Sequence, residues 1–211
     1  MEKEQALIII VDDDPSVRKS MARLLKTAGY VSVSFGSAEE FFSAALPDAD
    51  SSCLVLDLNL PDLNGLDLQV ELQTRDYRMP IVFISGCGDI PASVKAMKQG
   101  AIDFLTKPVD EQILIRVLEE ALQQDRERRA DLEERHELEQ RLQCLTPREY
   151  EVMRFVIAGL LNKQIAYELG ITEKTVKVHR GQVMSKLAVS SVAELTRLAE
   201  KAGISPAEPR S

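Results

Sequence analysis

The chain has 211 residues, 26 Lys+Arg, 34 Asp+Glu and a formal net charge of −8. That length suits one large domain or two ordinary ones, and no apolar run approaches the roughly 18 residues of a membrane span. The charge is uneven: residues 1–144 hold 16 Lys+Arg against 27 Asp+Glu, and residues 145–211 hold 10 against 7. An acidic first part and a mildly basic end predict two partners, with nucleic acid the candidate for the basic one. The three cysteines (Cys53, Cys87, Cys144) lack metal-ligand spacing and fit reduced thiols in a cytoplasmic setting. The charged start, Met1 to Gln5, does not read as a signal peptide.

Leu7 to Val11 is fully apolar, the pattern of a buried parallel strand, and it ends in Asp12-Asp13-Asp14-Pro15. Val17, Met21, Leu24, Leu25 and Ala28 then share one helical face, and Gly29 stops that helix. Val31 to Phe35 alternates like a strand. Ser37-Ala38-Glu39-Glu40 reads as a capping box opening a helix to about Ala45. Leu54-Val55-Leu56 forms a buried strand ending on Asp57, followed by the turn Pro61 to Gly65 and a helix to about Arg75. The strand Ile81 to Ile84 ends in Ser85-Gly86, and a helix follows to about Gln99. Ile102 to Leu105 is a short strand ending in Thr106-Lys107-Pro108, with a helix starting near Asp110. This repeated β/α alternation predicts a parallel sheet covered by helices on both faces. Neither GxGxxG nor GxxxxGK[ST] stands at any strand end, which disfavours a dinucleotide or nucleoside-triphosphate site.

From Glu119 to about Gln143 the chain contains no Gly or Pro and is densely charged, which predicts a solvated helical linker, with a weak dimeric coiled coil as the alternative. Thr146-Pro147-Arg148-Glu149 supplies an N-cap, a Pro at the first helical position and a Glu at the third. That helix buries Val152, Met153, Val156 and Ile157. A short helix carries Ile165, Ala166 and Leu169, and Gly170 makes a tight turn. A longer helix runs from Glu173 to about Leu187, and a last one buries Val192, Leu195 and Ala199. The tail from Ser205 to Pro209 reads as disordered.

Asp12, Asp13, Asp57, Ser85 and Lys107 all fall at carboxyl ends of strands, so all lie on one rim of the sheet. Three close carboxylates repel one another and need a cation. Oxygen ligands open to water suit Mg²⁺, which binds a few carboxylates and keeps several waters. Lys107 then holds a phosphoryl oxygen as a point charge, Ser85 donates to another, and Asp57 accepts the phosphoryl group as an acyl phosphate. Any one of these residues alone is more simply a helix cap or a surface ion pair. Matching chemistry at four strand ends makes that joint explanation poor.

Residues 5–124 resemble the receiver domain of bacterial two-component response regulators, through Asp12-Asp13, Asp57 with Leu60-Pro61-Asp62-Leu63-Asn64-Gly65, Ser85-Gly86 and Lys107-Pro108. The resemblance implies an α/β flavodoxin-like (βα)5 fold with sheet order 2-1-3-4-5. It implies a sensor histidine kinase as donor and Asp57 as phosphoacceptor. Mg²⁺ is then held by Asp13, Asp57 and the backbone carbonyl of Asn59, with Asp12 acting through water. Ser85 and Phe104 match the hydroxyl and aromatic of the family's switch. Cys87 stands where close relatives often carry His, and Asn59 and Cys87 are placed to tune how fast water removes the phosphoryl group.

On the helix from Glu173, Val176, Val183, Met184 and Leu187 form one face. Lys174, Lys177, Val178, Gly181 and Ser185 form the other. Lysines reach guanine acceptors or phosphates, Val meets a thymine methyl, and Gly permits close approach. Spacing alone fits equally a helix-turn-helix reader and a four-helix packing unit with a solvated lysine face. Leu145 to Glu149, Gly159-Leu160, Asn162 to Ala166, Leu169 to Ile171 and Thr175 to Arg180 resemble the LuxR-type DNA-binding domain. The whole chain thus resembles the NarL/FixJ family, with a receiver at 5–124, a helical linker at 125–143 and an all-α four-helix LuxR-type domain at 144–203. The resemblance puts Lys177, Val178 and Gly181 at base edges. It puts Asn162, Lys163, Thr172, Thr175, His179 and Lys186 nearer the backbone, and Lys174 joins these candidate DNA contacts from the exposed helix face.

The resulting expectation is a cytoplasmic, non-enzymatic transcription regulator. Phosphorylation drives homodimerisation around Val94, Lys98 and Ile102 and promoter DNA binding, with RNA polymerase a further partner and no membrane contact. Two alternatives stand beside it: a phosphatase-like enzyme that turns over at Asp57, and a DNA binder indifferent to phosphate.

Overall fold

The computed structural model describes residues 6–75, 77–86 and 90–208. Cys87 lies outside the described residues. The chain divides into two compact units, the first running to Arg129 and the second from Ala130.

In the first unit, strands β1 (Ala6–Val11), β2 (Val31–Phe35), β3 (Ser51–Asp57), β4 (Ile81–Ser85) and β5 (Asp103–Thr106) alternate with helices α1 (Pro15–Thr27), α2 (Ala38–Ser43), α3 (Gly65–Thr74) and α4 (Ile90–Lys98). Helix α5 (Glu111–Gln143) follows. All pairings are parallel, in the order β2-β1-β3-β4-β5, which is the order the resemblance implied. Each central strand sends alternate residues to opposite faces. Leu7, Ile9 and Val11 join Leu54, Leu56 and Phe83 in one core, while Ile8 and Ile10 join Cys53, Val55 and Val82 in the other. The first layer is closed by Phe41, Leu68, Leu72 and Ala96, and the second by Met21, Leu25, Leu114 and Leu118. Fully burying each such side chain stabilises by roughly 1.5–3 kcal/mol.

Several local expectations are corrected. Ala28 caps the C-terminus of α1 and is exposed rather than part of its buried stripe. Ser37 does cap α2, accepting the Glu40 N–H at 3.1 Å, but the Glu40 carboxylate takes the Gly36 N–H at 2.7 Å instead of that of Ser37. Strand β3 starts three residues before its apolar run, because Ser51, Ser52 and Cys53 pair with β1. The solvated-linker reading fails at Asp125, which is 0% exposed. Its carboxylate accepts the Ser52 N–H at 2.9 Å and pairs with Arg128 at 2.6 Å and Arg129 at 2.7 Å. Arg129 also donates to the carbonyl of Ala49 and the hydroxyl of Ser52.

The second unit contains α6 (Pro147–Ile157), α7 (Asn162–Leu169), α8 (Glu173–Lys186) and α9 (Val192–Lys201). Thr146 and Glu149 form the expected capping box at α6. Gly170 ends α7 at φ 62, a left-handed conformation that costs glycine little. Val152, Met153, Val156, Ile165, Val176, Val183, Leu187 and Leu195 make one core. The tail is not loose over its described part: Arg154 donates to the carbonyls of Ser205 and Pro206, and its own carbonyl accepts from Ala207.

Candidate functional site

Five groups meet at the carboxyl rim of the sheet because the apolar strands end there. Asp12 follows β1, Asp57 closes β3, Ser85 closes β4 and Lys107 follows β5. Asp12 and Asp57 are buried, at 2% and 6% exposure, while Asp13 is exposed. Asp12, Asp13 and Asp57 each offer a carboxylate oxygen within 4.8 Å of the others. Lys107 Nζ lies 2.7 Å from Asp12 Oδ2 and 2.5 Å from Asp57 Oδ2. An ammonium therefore already balances the two buried carboxylates. Burial pushes the Asp12 carboxyl above its ordinary range, and the bond from Lys107 offsets this only in part. Burial works to lower the Lys107 pKa, but its bonds to Asp12 and Asp57 outweigh it and hold the ammonium above its ordinary value.

The loops are fixed by backbone bonds. Asp57 Oδ1 accepts the Asn59 N–H at 3.1 Å, and Asn59 bridges to Asn64 across the turn. Asn64 then caps α3 through the Leu66 N–H at 2.9 Å. Gly65 is required by close approach: a Cβ there would stand 2.5 Å from the Asp57 carbonyl oxygen and 3.1 Å from Phe83 Cε1. Ser85 is fully buried, and its carbonyl accepts the Lys107 N–H at 2.8 Å. The Lys107–Pro108 peptide is cis. Phe104 is half-buried, its ring stacked on Phe83 with centroids 6.1 Å apart.

Arg18, which pattern reading passed over, and Asp62, a member of the turn motif whose partners that motif does not reveal, tie these loops together. Arg18 Nη1 donates to the carbonyl of Asp12 at 2.6 Å and of Asp13 at 2.9 Å. Asp62 accepts the first two N–H groups of α2, from Ala38 at 3.3 Å and Glu39 at 2.9 Å. Burial works to raise the Asp62 carboxyl, but those N–H groups prevail and hold it below its ordinary range. The turn motif contains Asp62 but not its partners, which stand more than twenty residues earlier. Arg18 sits one turn after the Asp14 cap, which places it under the β1–α1 loop.

The donor set is all oxygen, carries three carboxylates and opens to water at Asp13. Its chemistry fits a hard divalent cation.

On α8, Lys174, Lys177, Val178 and Gly181 are exposed on one face while Val176, Val183 and Leu187 are buried on the other. Val178, at 52% exposure, is an apolar side chain presented to solvent amid lysines. Lys163 on α7 is exposed as well. Other expected contacts have partners within the unit. Thr172 caps α8 through the Thr175 N–H, and the two hydroxyls lie 2.8 Å apart. Asn162 Oδ1 accepts from Arg180 at 3.0 Å. Lys186 pairs with buried Glu149 at 2.7 Å and donates to the carbonyl of Cys144. His179 is half-buried, with Nδ1 shielded and without a hydrogen-bond partner among the described residues. On α4, Val94 and Lys98 are exposed, whereas Ile102 packs half-buried into the layer of α1 and α5.

Comparison with known proteins decides the family. A model for the response regulator receiver domain matches residues 8–119, and one for bacterial regulatory proteins of the luxR family matches residues 143–199. The chain belongs to the response regulators. It is 46% identical over 201 residues to nodulation protein W of Bradyrhizobium diazoefficiens, covering 95% of this chain and 88% of that protein. It is 41% identical over 201 residues to response regulator protein TodT of Pseudomonas putida, covering 95% of this chain and 88% of that one. The solved structure of response regulator StyR matches at 47% identity and a TM-score of 0.87, covering 93% of this chain and 99% of that chain. This response regulator thus joins a flavodoxin-like receiver to a helical LuxR-type DNA-binding domain. Among the described residues no helix is long and apolar enough to cross a membrane.

Proposed function

We propose that this response regulator is a transcription factor switched by phosphorylation of Asp57. The observation carrying the reading is the ion pair of Lys107 with Asp12 and Asp57 beside exposed Asp13. It presents a carboxylate nucleophile, an ammonium beside it and an exposed carboxylate in one pocket. The donor is a sensor histidine kinase. An Asp57 oxygen attacks the phosphorus of phosphohistidine; the O–P bond forms, the P–N bond breaks, and the imidazole nitrogen leaves with the bonding pair. Asp13, Asp57 and the Asn59 carbonyl would hold a Mg²⁺, with Asp12 acting through water, and the ion would supply charge neutralisation for the phosphoryl oxygens. Lys107 turns from the carboxylates to a phosphoryl oxygen, and the Ser85 hydroxyl donates to another. Phe104 turns further inward as the Ser85 loop moves.

Residues 5–124 act as receiver, 125–143 as helical connection and 144–203 as reader. The acyl phosphate promotes a homodimer through the surface around Val94, Lys98 and Ile102, and two readers then bind promoter DNA. Lys177, Val178 and Gly181 meet base edges. Lys163 and Lys174 meet phosphates, with Asn162, Thr172, Thr175, His179 and Lys186 close to the backbone. On this reading the protein works in the cytoplasm and RNA polymerase is its downstream partner.

Incubation with a small phosphodonor and Mg²⁺ tests the reading. The expected product is one slowly decaying acyl phosphate per chain, absent in Asp57→Asn. Sustained multi-turnover hydrolysis would make the protein a phosphatase instead. Unchanged DNA affinity and oligomeric state in Asp57→Asn under phosphorylating conditions would remove the switch.

A further inference from the structure

We infer that Arg18 is a positioning residue for the cation at the carboxylate pocket, an inference that rests on the reading of that pocket as a divalent-cation site. One guanidinium nitrogen, Nη1, donates to two consecutive carbonyls, those of Asp12 and Asp13. These are the residues whose side chains supply two of the three clustered carboxylates. Gripping both carbonyls fixes both peptide planes and so sets where the two side chains leave the loop. The Asp12 carboxylate is held further by the Asp14 N–H at 2.9 Å, and the Asp12 N–H reaches the Phe35 carbonyl at 3.1 Å. Asp13 is exposed, and its carbonyl accepts a bond from Arg18 at 2.9 Å. Arg18 is itself half-buried. A Cβ on Gly36 would stand 3.4 Å from both Arg18 Nη1 and Glu40 Oε2, so the guanidinium lies against the turn before α2.

The sign of the effect separates positioning from simple electrostatics. A cation near a dication site weakens metal binding by repulsion, so removing it should tighten binding. A group that orients the ligands acts oppositely, and loss of such partners typically costs about 10–100-fold in metal affinity. Mg²⁺ affinity of the full chain, read by calorimetric titration, is therefore compared for wild type, Arg18→Met, Arg18→Lys and Lys19→Met. Lys19 is exposed on the same helix turn and serves as the charge control. The expected result is about tenfold weaker Mg²⁺ binding in Arg18→Met, partial recovery in Arg18→Lys, and equal or tighter binding in Lys19→Met. The rise in melting temperature on adding Mg²⁺ should shrink in the same order. Equal or tighter binding in Arg18→Met, or a loss in Lys19→Met as large as in Arg18→Met, overturns the positioning role. A wild-type chain that binds no Mg²⁺ overturns the cation reading of the pocket and this inference with it. If Arg18→Met fails to fold, Arg18→Lys decides: its charge is kept, so unchanged affinity removes the claim that the guanidinium geometry matters.

Discussion

Lys107 and Asp57 are held 2.5 Å apart across the rim of the sheet, joining the end of β5 to the end of β3. The ammonium also reaches Asp12, so a single side chain compensates two buried carboxylates. Lys107→Met leaves them facing each other without a cation. Breaking such a pair costs about 3–5 kcal/mol when both partners are buried, and the lysine is 22% exposed, so roughly 1–3 kcal/mol is expected here. Urea unfolding at neutral pH should show the loss, and Mg²⁺ should restore part of it. A variant as stable as wild type without metal would mean the carboxylates do not depend on Lys107.

Gly65→Ala places a methyl 2.5 Å from the Asp57 carbonyl oxygen and 3.0 Å from Leu58 Cα. Backbone cannot swing aside as a flexible side chain can, so the turn must shift. Overpacking of this kind costs about 1–3 kcal/mol. The variant should melt earlier and form the acyl phosphate more slowly, since the turn also carries the Asn59 N–H that orients Asp57. Full phosphorylation at an unchanged rate would show that the turn can relax freely.

Asp125 is fully buried and bonded to Ser52, Arg128 and Arg129. Asp125→Ala removes the acceptor of all three. The two arginines remain partly hydrated, which tempers the penalty to about 2–4 kcal/mol. Hydrogen exchange should report it locally, with the Ser52 amide exchanging faster while the amides of α6 to α9 keep their protection. Unchanged protection at Ser52 would contradict the role given to this bond.

Lys186, and next the Thr146 N–H, hold the Glu149 carboxyl below its ordinary value of 4.5. A depressed folded-state pKa gives stability that is present above the unfolded value and lost as pH falls through the folded one. The second unit should therefore weaken below about pH 4.5, as Glu149 takes up a proton. Glu149→Gln should be less stable at neutral pH and lose less on acidification. Parallel acid titrations of the two proteins by circular dichroism would refute this.

Lys177→Met should weaken DNA binding and reduce the slope of log affinity against log salt by about 1 if it meets a phosphate, or relax base preference if it meets a base edge. Lys186→Met mixes any such effect with loss of its bond to Glu149. Binding assays at several salt concentrations should be paired with melts for both variants.

The sheet, its order and the rim chemistry were legible because apolar strands ending in Asp, Ser and Lys are local patterns. What escaped notice joins distant segments. Asp125 sits in a run of charges that looks solvated from composition. Yet Leu114, Leu118, Ala121 and Asp125 follow spacings of four, three and four, so the buried stripe of α5 continues straight into it. Helical phase carried the information that composition hid. The Arg154 grip on the tail gave no comparable sign, since carbonyl acceptors carry no residue identity. The spacing of α8 marks its exposed face, but the internal partners of Asn162 and Lys186 depend on packing between helices that spacing does not describe.

Asp62 leaves the turn five residues after Asp57 and ends on the N–H groups of Ala38 and Glu39. Any movement of that turn must stretch or keep those two bonds. The ¹⁵N chemical shifts of Ala38 and Glu39 are thus natural spectroscopic reporters of the Asp57 loop, readable without introducing a label near the carboxylates themselves.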